Sequence, residues 1–120
     1  MVKNRMTINE TQDELIENFD LFDDWADKYS YIIELGKKLE GIADEYKLDS
    51  NIIKGCQSNV WLIANKDENS QVIYGADSEA IIVKGLVYML LKVLSGHTSK
   101  EIIEADLYFI DKIGMSQHLS

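Results

Sequence analysis

The chain has 120 residues and a formal charge of −9, from 21 acidic and 12 basic side chains, a length that suits one domain without a second core. Such a surface repels phosphate backbones, so nucleic acid is not an expected partner, whereas it suits solvation and a basic patch on another protein. With no run of about eighteen apolar residues, no basic start followed by a cleavage site and one cysteine in the whole chain, a cytoplasmic protein without an internal disulfide is expected.

Residues 1–6 lack periodicity and are expected to be a disordered lead. Thr7 and Glu10 fit a capping box, and a first helix is predicted over residues 8–19 with Ile8, Leu15, Ile16 and Phe19 on one face. The acidic run at 20–24 suits a helix amino terminus, and a second helix is predicted over 24–39. Its Trp25, Tyr29, Ile32 and Ile33 recur at helical spacing, which assigns Trp25 to packing rather than docking. The stretch 41–50, GIADEYKLDS, reads as a loop with a turn of helix. Strands are predicted at 52–54, 59–65 and 71–76, the last two joined by a polar hairpin turn at 66–70. Asp77 or Ser78 then caps a helix over 79–94, apolar on most sides and so expected against the sheet. Gly96 ends that helix and leaves His97 solvated in a turn. Thr98 and Glu101 form a second capping box for a helix to 104, and a last helix over 106–113 ends at Gly114. The expected fold is α+β, a small antiparallel three-stranded sheet packed against helices in one domain over 1–120.

The stretch with the most chemical content is 51–64, NIIKGCQSNVWLIA, which holds the cysteine. β-Branched and large apolar residues at both ends flank the turn formers Gly55, Gln57 and Ser58, which lifts Cys56 onto a loop between two strands. A structural cysteine more often sits inside an apolar run, and Gly55 leaves one side open to another protein's sulfur. The alternative is a half-buried cysteine in a turn.

The string Gly55-Cys56-Gln57-Ser58 followed by Val60-Trp61 resembles the SufE family of sulfur-acceptor proteins. Phe22, Trp25 and Tyr29 with Glu34-Leu35-Gly36-Lys37 are similar to its amino-terminal pattern. Asp77 with Ile82-Val83-Lys84-Gly85-Leu86 is similar to its second block, and Gln117-His118-Leu119-Ser120 to the start of its carboxy-terminal block. The resemblance runs from about residue 13 to the last residue, although the family's usual proline near Glu40 is missing and the match stops short of the family's final helix and arginine. An apolar patch over the central helix or sheet, able to drive dimerisation, is expected as a result.

The resemblance implies a SufE/IscU-like fold and a sulfur carrier with no resident cofactor beyond a transient cysteine persulfide. It implies as partners a SufS-type pyridoxal-phosphate-dependent cysteine desulfurase, which the protein stimulates, and a SufBCD-type iron-sulfur scaffold. Cys56 would be the persulfide acceptor in transpersulfidation, supported by Lys54, Gly55, Gln57, Ser58, Asp77 and His118. In a strand Lys54 and Cys56 point the same way, so the lysine assists the thiolate, or else it is a solvated strand end. Asp77 shapes the loop or is a plain helix cap. Gln57 and Ser58 hold the persulfide or fix the turn, and His118 acts in the carboxy-terminal block or merely bonds a helix end. Two other readings remain. An IscU-like metal or cluster scaffold wants three or four cysteine or histidine ligands, and the chain has one cysteine and two histidines, so no metal site is expected. A non-catalytic interaction module would leave the cysteine incidental.

Overall fold

The computed structural model describes residues 6–54 and 58–115; the expected lead therefore falls, save for Met6, outside the described residues. The order of elements is α1 (Ile8–Phe19), α2 (Trp25–Gly36), two 3-10 turns at Asp44–Tyr46 and Asp49–Asn51, β1 (Val60–Lys66), β2 (Gln71–Ser78), α3 (Ile81–Leu94), β3 (His97–Thr98), α4 (Ser99–Glu104) and α5 (Phe109–Ile113). The fold is α+β, with one antiparallel sheet of order β1-β2-β3 packed against helices, as expected.

Local chemistry sets most of these boundaries. Thr7 Oγ1 accepts the Glu10 N–H at 3.0 Å while Glu10 Oε1 accepts the Thr7 N–H at 2.9 Å, so two otherwise orphaned donors of α1 are satisfied reciprocally. Thr98 and Glu101 repeat the arrangement at α4. Asp24 caps α2 through the Asp27 N–H at 2.9 Å. That helix stops at Gly36 rather than at 39, because Lys38 and Leu39 bond three residues back, to Leu35 and Gly36, in a tightened final turn. Between β1 and β2, Asp67 Oδ1 accepts from the N–H groups of Asn69 and Gln71, both at 2.9 Å, and Ser70 takes a left-handed φ of 61° to close the hairpin.

α3 is the centre of the molecule. One side packs with α1, α2 and α5 into a core of Leu15, Phe19, Ile32, Leu35, Met89, Val93, Phe109 and Ile113. The other side meets the sheet through Val87 against Val60 and Ala76, with Leu62, Val83 and Leu91 packed around them. α2 and α3 cross at two glycines. A Cβ on Gly36 would lie 2.8 Å from the Gly85 nitrogen, and one on Gly85 would overlap the Ile32 carbonyl. At Gly75 the missing side chain makes room on the sheet's far face for Ile42, whose Cγ2 stands 3.2 Å from where a Cβ would be. The segment 41–51 is thereby laid over the sheet face opposite α3.

Two sequence expectations are corrected. Residues 52–54 do not form a strand: Ile52 makes one bridge to Trp61 and Lys54 already turns away. Only Ile52 and Ile53 lie between the 3-10 turn and Lys54, too short a run for β-branched propensity to propagate a ladder. The third strand is instead His97–Thr98, pairing with Val72 and Gln71. His97 is accordingly not solvated. Gly96, at φ 87°, donates its N–H to the Val72 carbonyl at 2.8 Å and carries His97 to 5 % exposure. There its Nδ1 lies 3.6 Å from Glu101 Oε2.

Candidate functional site

The sequence points to the connection between Ile53 and Val60. Gly55, Cys56 and Gln57, like His118 at the far end of the chain, lie outside the described residues. The described positions on either side of Cys56 are held firmly. Upstream, Ile52 bridges Trp61 and the Ile53 N–H donates to the Val60 carbonyl at 2.9 Å, so the connection that carries Cys56 starts and ends at a strand-like pair. Behind that pair, Asn51 Nδ2 donates to the Tyr46 carbonyl at 2.7 Å and fixes the 46–51 turn. Downstream, the buried Ser78 hydroxyl donates to the Asn59 carbonyl at 2.8 Å and accepts the Ala80 N–H at 3.3 Å, while Asn59 Nδ2 reaches Glu79 Oε2 at 3.4 Å. One hydroxyl therefore ties the loop's exit to both the end of β2 and the start of α3.

Lys54 is exposed, and because it sits in a turn rather than a strand, strand alternation does not place it on the same side as Cys56. Ser58 is half-buried at the loop's exit.

Asp77 is not the cap of α3. It pairs with Trp61 inside β2, the N-cap position belongs to Ala80 with no side-chain cap bond, and Ser78 Oγ takes the Ala80 N–H. Asp77 is an anchor. Its side chain, 15 % exposed, lies 3.1 Å from Lys47 Nζ and 3.7 Å from Lys84 Nζ, and its Oδ1 accepts the Ser78 N–H at 2.8 Å. Lys47 also reaches Asp44 at 3.3 Å and stands 5.6 Å above the Trp61 ring. Gly41, at φ 75°, passes so near that a Cβ would lie 2.8 Å from Asp77 Oδ2. Burial pushes the Asp77 carboxyl up, but the Lys47 hydrogen bond, the Ser78 N–H and the charges of Lys47 and Lys84 outweigh it and hold it below the usual carboxylate range. The same Asp77 hydrogen bond raises Lys47. This carboxylate thus joins the 41–51 segment, the sheet and α3 directly beneath the loop's two ends.

Beside the upstream end, Ile53 also lines an apolar cavity of about 170 Å³ between the sheet and α3, together with Val60, Leu62, Tyr74, Leu90 and Leu91. Its walls offer no charged group. Among the described residues no cluster of three histidines, cysteines or carboxylates is arranged to hold a metal ion, and no helix is long and apolar enough to cross a membrane.

The SufE family profile, described as an Fe-S metabolism associated domain, matches residues 13–120. The chain belongs to the SufE family. An uncharacterized SufE-like protein of Rhizobium etli is 41% identical over 112 residues, which span 90% of this chain and 76% of that protein. SufE-family residues singled out in the sequence now have physical roles. Gly36 and Gly85 are the crossing point of α2 and α3. Trp25 is half-buried against the core and meets Tyr29 in a tilted ring contact at 5.5 Å, and Phe22 meets Tyr31 at 5.1 Å, so these aromatics pack. Ser78 and Lys47 were missed as site residues. In sequence Ser78 signals only a helix cap, and nothing in local spacing ties Lys47 to a carboxylate thirty positions on.

Proposed function

We propose that this protein accepts persulfide sulfur from a pyridoxal-phosphate-dependent cysteine desulfurase on Cys56, stimulates that enzyme by clearing its sulfur, and hands the sulfur to an iron-sulfur scaffold. The observation that carries the reading is the SufE family match running through Gly55-Cys56-Gln57-Ser58, a cysteine string whose described flanks are hydrogen-bonded on both sides. In the transfer, the Cys56 thiolate attacks the outer sulfur of the donor's persulfide. A new sulfur–sulfur bond forms at Cys56, the donor's own sulfur–sulfur bond breaks, and the donor cysteine leaves as a thiolate, with no net oxidation. The thiol proton is lost to solvent before attack, and the terminal S–H travels with the transferred atom.

A free thiol with a pKa of about 8.5 is only a few per cent thiolate at neutral pH. The donor's own site supplies the alignment, and Lys54, exposed and two positions away in sequence, adds only a solvent-screened positive charge. Gln57 and Ser58 hold the transferred atom, His118 belongs to the carboxy-terminal face of the same site, and Asp77 and Ser78 keep the platform in register. No resident cofactor or metal is needed, since the transient persulfide is the cargo itself. The protein is a carrier and activator rather than an enzyme with a turnover of its own.

The test is mass spectrometry after incubation with a desulfurase and free cysteine. Wild type gains one or more sulfur atoms on the peptide containing Cys56, and Cys56→Ser gains none and no longer stimulates cysteine turnover. Sulfur found on another residue, or stimulation surviving in Cys56→Ser, refutes the assignment.

A further inference from the structure

The outer edge of β1 is open. Ile53 donates its N–H to the Val60 carbonyl from the side away from β2, while Asp67 donates its own to Gln71 inside the hairpin, both at 2.9 Å. Backbone groups alternate sides along a strand, so those of Trp61, Ile63 and Asn65 face their partners Asp77, Gly75 and Ile73, and those of Ala64 and Lys66 point outward. Ile52 and Ile53 cover that outer side only as far as Trp61, and β1 ends the sheet order β1-β2-β3, so among the described residues nothing pairs with Ala64 or Lys66 there. The apolar cavity of about 170 Å³ lies under the same edge. Of its walls, Leu62 comes from β1 and the half-buried Leu90, Leu91 and Leu94 from α3, and Ile53, 40% exposed on the outer flank of β1, carries it out to solvent.

We propose that this edge joins a second copy of the chain, β1 to β1 and antiparallel about a two-fold axis at Asn65, making one continuous six-stranded sheet. In that register Ala64 of one copy lies opposite Lys66 of the other, and four backbone bonds close: each Ala64 N–H to a Lys66 carbonyl, and each Lys66 N–H to an Ala64 carbonyl. An axis at Ala64 is blocked, because it sets Lys66 beside Leu62, where Ile52 and the turn at Asp49–Asn51 already stand. α3 lies over β1 and β2, with Val87 on Val60 and Ala76, so the two α3 helices rest on one side of the joined sheet, two to three strand spacings or about 10–14 Å apart. Packed helices stand about 8–10 Å apart, so the leucines on the facing flanks meet and close over both cavities. Charge favours a second copy at this place. Each chain carries −9, which keeps copies apart over most of their surface, whereas along residues 62–66 the one charge is Lys66, and the pairing sets it against Ala64. The paired stretch is only about 14 Å long, and interfaces below about 1,200 Å² belong to weak complexes, so the dissociation constant is on the order of 50 µM. Asn59 of one copy stands about 40 Å from Asn59 of the other, so the pairing displays two cysteine-bearing connections at opposite ends of the sheet.

The experiment follows the full chain at about 20 µM and about 1 mM by sedimentation equilibrium and by NMR-detected amide exchange. Mass rises from near one chain to near two, and the Ala64 and Lys66 amides slow by about 4-fold, whereas those of Ile63 and Asn65, bonded to β2, are slow at both concentrations. Added salt strengthens the pairing by screening the −9 on each copy. Ala64→Pro removes an outward N–H that the single chain does not use, a change an edge strand tolerates. That variant keeps the wild-type circular dichroism spectrum, keeps the alkylation rate of Cys56 by iodoacetamide within about 2-fold, and stays at the mass of one chain at about 1 mM. Ile63→Pro, which removes an N–H facing β2, loses the spectrum. Wild type at the mass of one chain at about 1 mM, with Ala64 and Lys66 exchanging at one rate throughout, overturns the proposal, whether the edge is then vacant or takes an added extended peptide. So does association that weakens with salt, an Ala64→Pro chain that folds and still pairs, or one that loses its fold where Ile63→Pro keeps it.

Discussion

Ser78→Ala is the sharpest probe of how the loop is held. Ser78 is 3% exposed, and its hydroxyl makes two bonds, donating to the Asn59 carbonyl at 2.8 Å and accepting the Ala80 N–H at 3.3 Å. Alanine fills nearly the same space, so cavity formation adds little and the cost is that of two backbone groups losing a partner. A buried group left unsatisfied costs about 1–3 kcal/mol, and a bond lost where water can replace it about 0.5–1.5 kcal/mol. Asn59 is exposed and recovers water, whereas Ala80 is half-buried and recovers less. A net loss of about 2 kcal/mol follows, read in urea unfolding as a lower midpoint at unchanged slope. With the exit of the loop released, iodoacetamide alkylation of Cys56 also changes rate, whereas Ser78→Thr, which restores the hydroxyl, moves both readouts back toward wild type. A loss below about 0.5 kcal/mol, the level of ordinary surface changes, together with an unchanged alkylation rate, would show that this hydroxyl does not fasten the loop.

Asp77→Asn carries a pH signature. The folded carboxyl is held below its unfolded value of about 3.9, so the unfolded chain takes up the proton first as pH falls. The stability Asp77 contributes is therefore fully present above about pH 4 and is lost as pH drops through the folded value. The gap in melting temperature between wild type and Asp77→Asn is accordingly widest near neutrality and narrows below about pH 4; a gap constant from pH 2 to 7 contradicts the anchor. Gly85→Ala forces a methyl into the Ile32 backbone and destabilises by about 1–3 kcal/mol or more, an overpacking cost that outweighs alanine's better helix propensity of about 1 kcal/mol. A more stable Gly85→Ala protein would show that α2 and α3 are free to move apart.

What could be read directly from the sequence was local. The two capping boxes and the polar hairpin turn at 66–70 are signals a few residues long, and each is found where the residue types placed it. The α+β class followed from the order of apolar periodicities. What escaped depends on partners distant in the chain. His97 becomes a strand residue only because Val72 offers a carbonyl to Gly96, and Gln12 is buried to hold the Asp106 carbonyl and the Phe109 N–H at 3.0 and 3.1 Å. Phe109 rather than Asp106 therefore begins α5, since Gln12 meets the backbone groups in front of it. Asp77 looked like a cap because aspartate before a helix normally is one, and only Lys47, brought over the sheet by the 41–51 segment, reveals it as an anchor.

The same division explains how the candidate site is made. The cysteine string is a local feature and could be recognised by itself, but its chemistry asks only for one nucleophile, and a thiol with a single lysine nearby in sequence is weakly activated. What this chain adds is position. The upstream end of the loop is held by backbone bonds, which almost any sequence can make, and the downstream end by one buried hydroxyl and one amide, which few can. The support below is a carboxylate shared between two lysines from opposite faces of the sheet. On the carrier role proposed above, the same atom would meet two successive partners, and a fixed presentation would serve it better than an aggressive nucleophile. A permanently activated thiolate would react with whatever electrophile arrives first, whereas a modestly reactive one on a rigid platform transfers only where a partner's surface brings the sulfur into line.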